Sequence, residues 1–134
     1  MERSGGGPTQ PVGRVAYFNQ GGKYSFSNFT TQIRVKNPKE LDSEYLWRCL
    51  NYFYISGRTE TLQKQTTGIR NLLFSEYKNL EIPLPPIREQ KRIVKKIEGL
   101  FAKIDEAKKL NAEVANELKA LSASILDKAF KGEI

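Results

Sequence analysis

The run Gln63-Lys64-Gln65-Thr66-Thr67-Gly68-Ile69-Arg70 is polar, donor-rich and basic. Gln and Arg make paired hydrogen bonds to the edges of adenine and guanine, and Lys neutralises a phosphate. Two further cations sit in turn-like surroundings: Arg14 follows the first Gly/Pro-rich stretch, and Lys23 follows Gly21-Gly22. The chemistry on offer is contact with nucleic acid through Arg14, Lys23, Gln63, Lys64, Gln65, Thr66, Thr67 and Arg70. Any one of them also reads as an ordinary solvated loop residue; the 63–70 run as a group favours DNA. A second basic cluster, Arg88, Lys91, Arg92, Lys95 and Lys96, opens a helical pattern. Cations in a first turn oppose the helix dipole, so helix stability does not explain them. They suit DNA phosphates, an acidic protein surface or plain solvent.

Catalytic chemistry finds little support. There is no histidine, which removes His-based acid–base catalysis, Ser-His-Asp triads and His metal ligands. One cysteine, Cys49, leaves no disulfide framework and no cysteine-built zinc site. Gly5-Gly6-Gly7 precedes Pro8 rather than a helix, so it is not a nucleotide-binding turn. Carboxylates are scattered, and most lie on the helical pattern as solvated faces. The expectation is a non-catalytic chain with no cofactor and no metal.

With 134 residues, the chain holds one domain, or a small domain plus one long element. The balance of 22 basic against 15 acidic residues, net +7, favours a polyanionic partner over a merely basic domain. No run of about 18 apolar residues is present, and the first residues lack the apolar stretch of a signal peptide. A cytoplasmic location without membrane contact is expected.

The elements that must position these residues divide at Ile82-Pro83-Leu84-Pro85-Pro86. Three prolines in four residues remove backbone donors and force an extended path. Before them, 13–18 and 29–36 read as strands, the second by its period-two alternation. Asp42 or Ser43 caps a helix from about Glu44 to Ile55, apolar nearly all round and hence the core of the domain. Gly57 ends it, and Cys49 is a buried structural residue within it. Residues 62–67 read as loop or weak helix, Ser75 as the cap of a single turn, and 80–82 as a last strand.

After the prolines, Ile93, Ile97, Leu100, Ile104, Ala107, Asn111, Val114, Leu118, Leu121 and Ile125 step by four and three. Nine of these ten a and d positions are apolar, which indicates a coiled coil. A helix from about Arg88 to Phe130 is about 65 Å long at 1.5 Å per residue, and Gly132 suits its C-terminal cap. Val94, Phe101 and Leu110 widen the stripe. No second helix of this length exists in the sequence, so the partner helix comes from another chain. Asn111, the polar seam residue, either fixes register against a polar partner or sits beside solvent.

The run from Asn71 to Val94 contains Ile82-Pro83-Leu84-Pro85-Pro86-Ile87-Arg88-Glu89-Gln90-Lys91-Arg92-Ile93-Val94. It resembles the end of a target recognition domain in the specificity (S) subunits of type I restriction–modification enzymes. Thr67-Gly68-Ile69-Arg70-Asn71-Leu72 and Ala129-Phe130-Lys131-Gly132-Glu133-Ile134 are similar to that family's motifs before and after the long helix. Residues 3–18 and 29–36 look like mid-domain strands of the same domain. The resemblance implies DNA recognition and scaffolding, with methyltransferase and nuclease chemistry in other subunits. It also implies double-stranded DNA, modification subunits and, through them, the restriction subunit as partners. A full S subunit has two recognition domains and two long helices that pair antiparallel. Here there is one helix and the back part of one domain, so the front strands are expected to lie outside this sequence.

The expected fold class is α+β: a partial mixed α/β recognition domain over 1–86, then one long coiled-coil helix over 87–134. That helix pairs with another chain, by the resemblance as an antiparallel homodimer. The competing reading is a coiled-coil dimerisation module that pairs with S or methyltransferase subunits without reading DNA itself.

Overall fold

The computed structural model describes residues 1–5, 7, 10–66 and 68–134, with Thr66 described for its backbone. Among the described residues it is a mixed α/β chain: a three-stranded sheet, two shorter α-helices, a 3₁₀ turn and a long C-terminal helix. The chain forms two compact units, Met1–Val94 and Lys95–Ile134.

In the first unit, helix α1 spans Ser43–Ile55. Asp42 caps it: one carboxylate oxygen accepts from the backbone N–H groups of Glu44 and Tyr45, both at 3.0 Å. That satisfies two of the donors a helix start leaves free. Gly57, at φ +76°, ends it in the left-handed region, its N–H bonded to the Tyr54 carbonyl at 3.1 Å. The helix is core on one side only. Tyr45, Leu50 and Phe53 are buried, whereas Tyr52 and Ile55 are exposed. Cys49 is half-buried, and burial pushes its thiol pKa up, which keeps it protonated and unreactive.

The sheet has the order β1-β3-β2, antiparallel throughout. Strand β1 is Ser4–Gly5, β2 is Gln63–Thr66 and β3 is Ile69–Leu72. Residues 62–67 read as loop or weak helix in sequence; a 3₁₀ turn at Glu60–Leu62 instead runs into β2, and Thr67 lies outside the described residues. Strands β2 and β3 form a hairpin about Gly68. Polar side chains obscure strands in sequence, because the backbone ladder holds them without apolar alternation.

Three expected strands do not form. Residues 13–18 belong to no strand, and 29–36 contributes a single isolated bridge, Glu2 with Thr30. Among the described residues, Met1–Ser4 runs beside that segment, through bonds such as Thr31 N–H to the Met1 carbonyl at 2.8 Å. Residues 80–82 likewise lack a ladder. Helix α2, Phe74–Tyr77, starts at Leu73 with no side-chain cap, so Ser75 lies within it.

Val12, Leu50, Phe53, Leu72 and Tyr77 form the core, flanked by Leu46, Leu62, Phe74, Leu80 and Ile82 among others. Gln63 reaches into it: its Oε1 accepts from the Val12 N–H at 3.1 Å, and its Nε2 donates to the Val12 carbonyl at 3.0 Å. The amide thus acts as a strand partner for one fully buried residue.

Helix α3 spans Ile87–Phe130. Its first turns are fixed by Gln90, fully buried, whose Nε2 donates to the carbonyls of Glu40 and Pro85, both at 2.7 Å. The Gln90 Oε1 accepts from the Asp42 N–H at 2.8 Å. One side chain therefore ties the α1 cap, the proline segment and the start of α3. Tyr45 adds a bond from its hydroxyl to the Pro83 carbonyl at 3.1 Å.

The second unit is the remainder of α3. Gly132 closes it at φ +73°, with Gly132 N–H on Ala129 and Glu133 N–H on Lys128. This nested pair is the Schellman arrangement, which needs a residue free to adopt positive φ. Its ion pairs, Lys108–Asp105, Lys109–Glu113 and Lys131–Asp127, are solvent-exposed and contribute little.

Candidate nucleic-acid interface

The hairpin register sorts the candidate residues by face. Ser4, Asn71 and Lys64 stand in one row across the sheet, and Gly5, Arg70 and Gln65 in the next. Side chains of successive residues on a strand point to opposite faces. Lys64 therefore shares a face with Ile69 and Asn71, all three exposed. Gln63, Gln65 and Arg70 share the other face with Leu72, which enters the core. Thr66 pairs with Ile69 in backbone register, and Thr67 lies outside the described residues.

The polar run is thus not one reading surface. Gln63 is committed inward, since its Nε2 also donates to the Thr59 carbonyl at 2.9 Å. Arg70 is half-buried at the centre of the sheet, with Gln65 exposed on one side and the side-chain-free Gly5 on the other. On the opposite face Lys64 supplies a charge, and Asn71 supplies both a donor and an acceptor. Asn71 was absent from the sequence-derived set. Its signal was there: Thr67-Gly68 is turn chemistry, and pairing the residues on either side places Asn71 opposite Lys64.

Arg14 and Lys23 lie outside the sheet. Arg14 is exposed, with its guanidinium 5.8 Å from the centre of the Tyr54 ring. A hydrogen bond to Tyr54 raises its pKa further, so it is a permanent cation. Lys23 is exposed after Gly22, a glycine at φ +130°. From Arg3 to Lys39 there are six cations (Arg3, Arg14, Lys23, Arg34, Lys36, Lys39) and no Asp or Glu. This asymmetry, hidden in the whole-chain charge, makes the N-terminal segment uniformly attractive to a polyanion.

Arg88, Lys91, Arg92, Lys95 and Lys96 are all exposed. Arg92 bonds Glu89 at 2.6 Å, and that contact lowers the Glu89 pKa. Along the seam, Ile93 and Ile97 are half-buried, and Ala107 and Asn111 are exposed. Leu100, Ile104, Val114, Leu118, Leu121 and Ile125 are 47–59% exposed. Among the described residues no group of acidic, Cys or His side chains is placed to hold a metal, and no helix is long and apolar enough to cross a membrane.

The family model described as the type I restriction modification DNA specificity domain matches residues 4–116. The specificity subunit of the StySPI type I restriction enzyme of Salmonella potsdam is 30% identical over 124 residues, covering 90% of this chain and 26% of that protein. That of the EcoKI enzyme of Escherichia coli K12 is 37% identical over 106 residues, covering 76% and 22%. That of the EcoBI enzyme of Escherichia coli is 40% identical over 65 residues, covering 48% and 14%. The chain therefore spans about a quarter or less of the length of these relatives. No solved structure matches it. With the specificity-domain match running unbroken from β1 into the middle of α3, the chain belongs to the type I restriction modification DNA specificity family.

Proposed function

We propose that this chain is a DNA-recognition and scaffolding piece of a type I restriction–modification system, with no catalytic centre of its own. The observation that carries the reading is the specificity-domain match over residues 4–116, which takes in the hairpin, the proline segment and most of α3. Residues 1–86 act as part of a recognition domain and 87–134 as the spacer helix. Double-stranded DNA meets the acid-free N-terminal segment and the β2–β3 hairpin. On the Lys64 face, phosphate contact falls to Lys64 and base contact to Asn71, with Arg14 and Lys23 adding charge outside the sheet. Gln63 acts as a positioning residue, because both polar atoms of its amide hold backbone groups.

The half-exposed seam from Leu100 to Ile125 supports a helical partner, since a stripe of this length exceeds the patch usual on a soluble monomer. The partner in this reading is a second copy, running antiparallel. Methyltransferase subunits assemble on the same scaffold and bring the restriction subunit, in the cytoplasm.

The test is co-expression with type I modification subunits, followed by purification of the complex and selection of bound duplexes from a random pool. Co-purification and enrichment of a defined sequence, with affinity falling steeply as salt rises, are the expected results. A chain that co-purifies but enriches no sequence would overturn the recognition role. A chain that fails to co-purify would overturn the scaffold.

A further inference from the structure

From Ile87 to Ile97, every exposed residue of α3 is a cation: Arg88, Lys91, Arg92, Lys95 and Lys96. Gln90 and Val94 are buried on the opposite side of the helix, which turns the basic stripe outward. Glu89 is the only carboxylate in this stretch, and Arg92 holds it at 2.6 Å. Among the described residues, Arg88, Lys91, Lys95 and Lys96 have no ion-pair partner. The rest of the helix is different. Residues 98–130 carry five basic and six acidic side chains, with Lys108–Asp105 and Lys109–Glu113 paired along them. That mixture is what a merely solvated helix face carries.

The basic stripe works against the fold. Like charges four residues apart on a helix repel, and Arg88–Arg92, Lys91–Lys95 and Arg92–Lys96 all have that spacing. An anionic partner offsets this repulsion, and the chemistry of the stripe selects which one. Protein interfaces centre on apolar and aromatic side chains and are poor in lysine. Here three of the five cations are lysines, and no apolar or aromatic residue from Ile87 to Ile97 is exposed. Duplex DNA, by contrast, offers closely spaced phosphates to a surface of Lys and Arg alone.

We propose that the outward face of α3 from Arg88 to Lys96 is a sequence-neutral phosphate-binding site for duplex DNA. It anchors the duplex, while base reading stays with the hairpin. The choice of DNA as ligand rests on the recognition reading above; the site itself uses no residue of the sheet.

The full chain is titrated with a duplex of arbitrary sequence over a salt series. Arg88→Gln, Lys91→Gln and Lys95→Gln together spare the Arg92–Glu89 pair. This triple variant should lower affinity roughly tenfold and reduce the salt slope by about three. Its urea midpoint should not fall, because two of the three repulsive pairs are relieved. The same loss of charge on the balanced part of α3, by Lys103→Gln, Lys109→Gln and Lys119→Gln, should leave affinity and slope nearly unchanged. Equal losses from the two triple variants would overturn the proposal, since net charge alone would then explain them. Absence of duplex binding by the wild-type chain at low salt would also overturn it. So would an unchanged duplex affinity together with lost co-purification of modification subunits, which would make the stripe a protein-docking face. The duplex has no chosen sequence, so failure here is distinguishable from failure of the recognition reading, which shows as no sequence enriched with the salt-slope difference intact.

Discussion

Gln90→Leu removes three hydrogen bonds at one stroke. The wild-type amide donates to Glu40 and Pro85 and accepts from Asp42, all within 2.8 Å. Each such bond contributes about 0.5–1.5 kcal/mol net, and a buried group left without a partner costs about 1–3 kcal/mol. Glu40 is exposed, and Asp42 and Pro85 are only partly buried, so water recovers some of the loss. The expected penalty is about 3 kcal/mol, a large part of the 5–15 kcal/mol that stabilises a typical domain. Urea unfolding followed by Trp47 fluorescence measures it. The isosteric Gln90→Glu adds a signed control. A carboxylate there faces two carbonyls in a buried site, so its folded-state pKa rises above the unfolded value of about 4.3. The protonated form is then favoured in the fold, and stability is highest below about pH 4 and falls as pH rises through the folded pKa. A Gln90→Leu penalty under about 0.5 kcal/mol, or a Gln90→Glu stability that rises with pH, would refute the tie between α1, the proline segment and α3.

Burial pushes the Tyr77 pKa up to about 12, and among the described residues its hydroxyl has no hydrogen-bond partner. Stability from its neutral form is complete below about pH 10 and is lost as pH rises towards 12, so Tyr77→Phe should soften alkaline unfolding and stabilise the neutral protein by up to about 1 kcal/mol. Tyr45→Phe, by contrast, loses the bond to Pro83 and should cost about 1 kcal/mol in the same urea assay. Leu100→Asp with Leu118→Asp should convert a dimer to a monomer in sedimentation equilibrium at micromolar concentration, and an unchanged mass would remove the seam as the interface. A spin label at Lys96→Cys in a Cys49→Ala background should give an inter-chain distance of about 45 Å if the helices run antiparallel about Asn111, and under about 20 Å if they run parallel.

Helices were legible because their signals are local or periodic. Asp42 caps α1 and Gly57 ends it by chemistry within a few residues, and the four–three spacing from Ile93 to Ile125 shows in the sequence alone. The hairpin was not legible from its side chains, since Gln63, Lys64, Gln65 and Thr66 carry no apolar alternation and only the turn at Gly68 marks it. The alternation at 29–36 misled in the opposite direction: a pattern sets which face a strand would bury, but a ladder needs a neighbouring strand. Gln63 read as part of a polar loop, and Gln90 entered only as one residue of the Ile82–Val94 run. Their partners lie 51 and about 50 residues away in sequence, and no local pattern encodes such contacts.

The central claim is that the sheet reads DNA, and variants of it in the reconstituted complex with modification subunits test it most directly. Binding of the selected duplex and of single-base variants is measured across a salt series. Asn71→Ala should cost about 1–3 kcal/mol and relax preference at one base pair, Lys64→Ala should weaken all duplexes alike and reduce the salt slope by about one, and Arg70→Ala, on the opposite face, should change neither. Unchanged affinity and specificity in all three, with binding abolished by Lys91→Ala and Lys95→Ala, would place the DNA on the helix start alone and contradict the account.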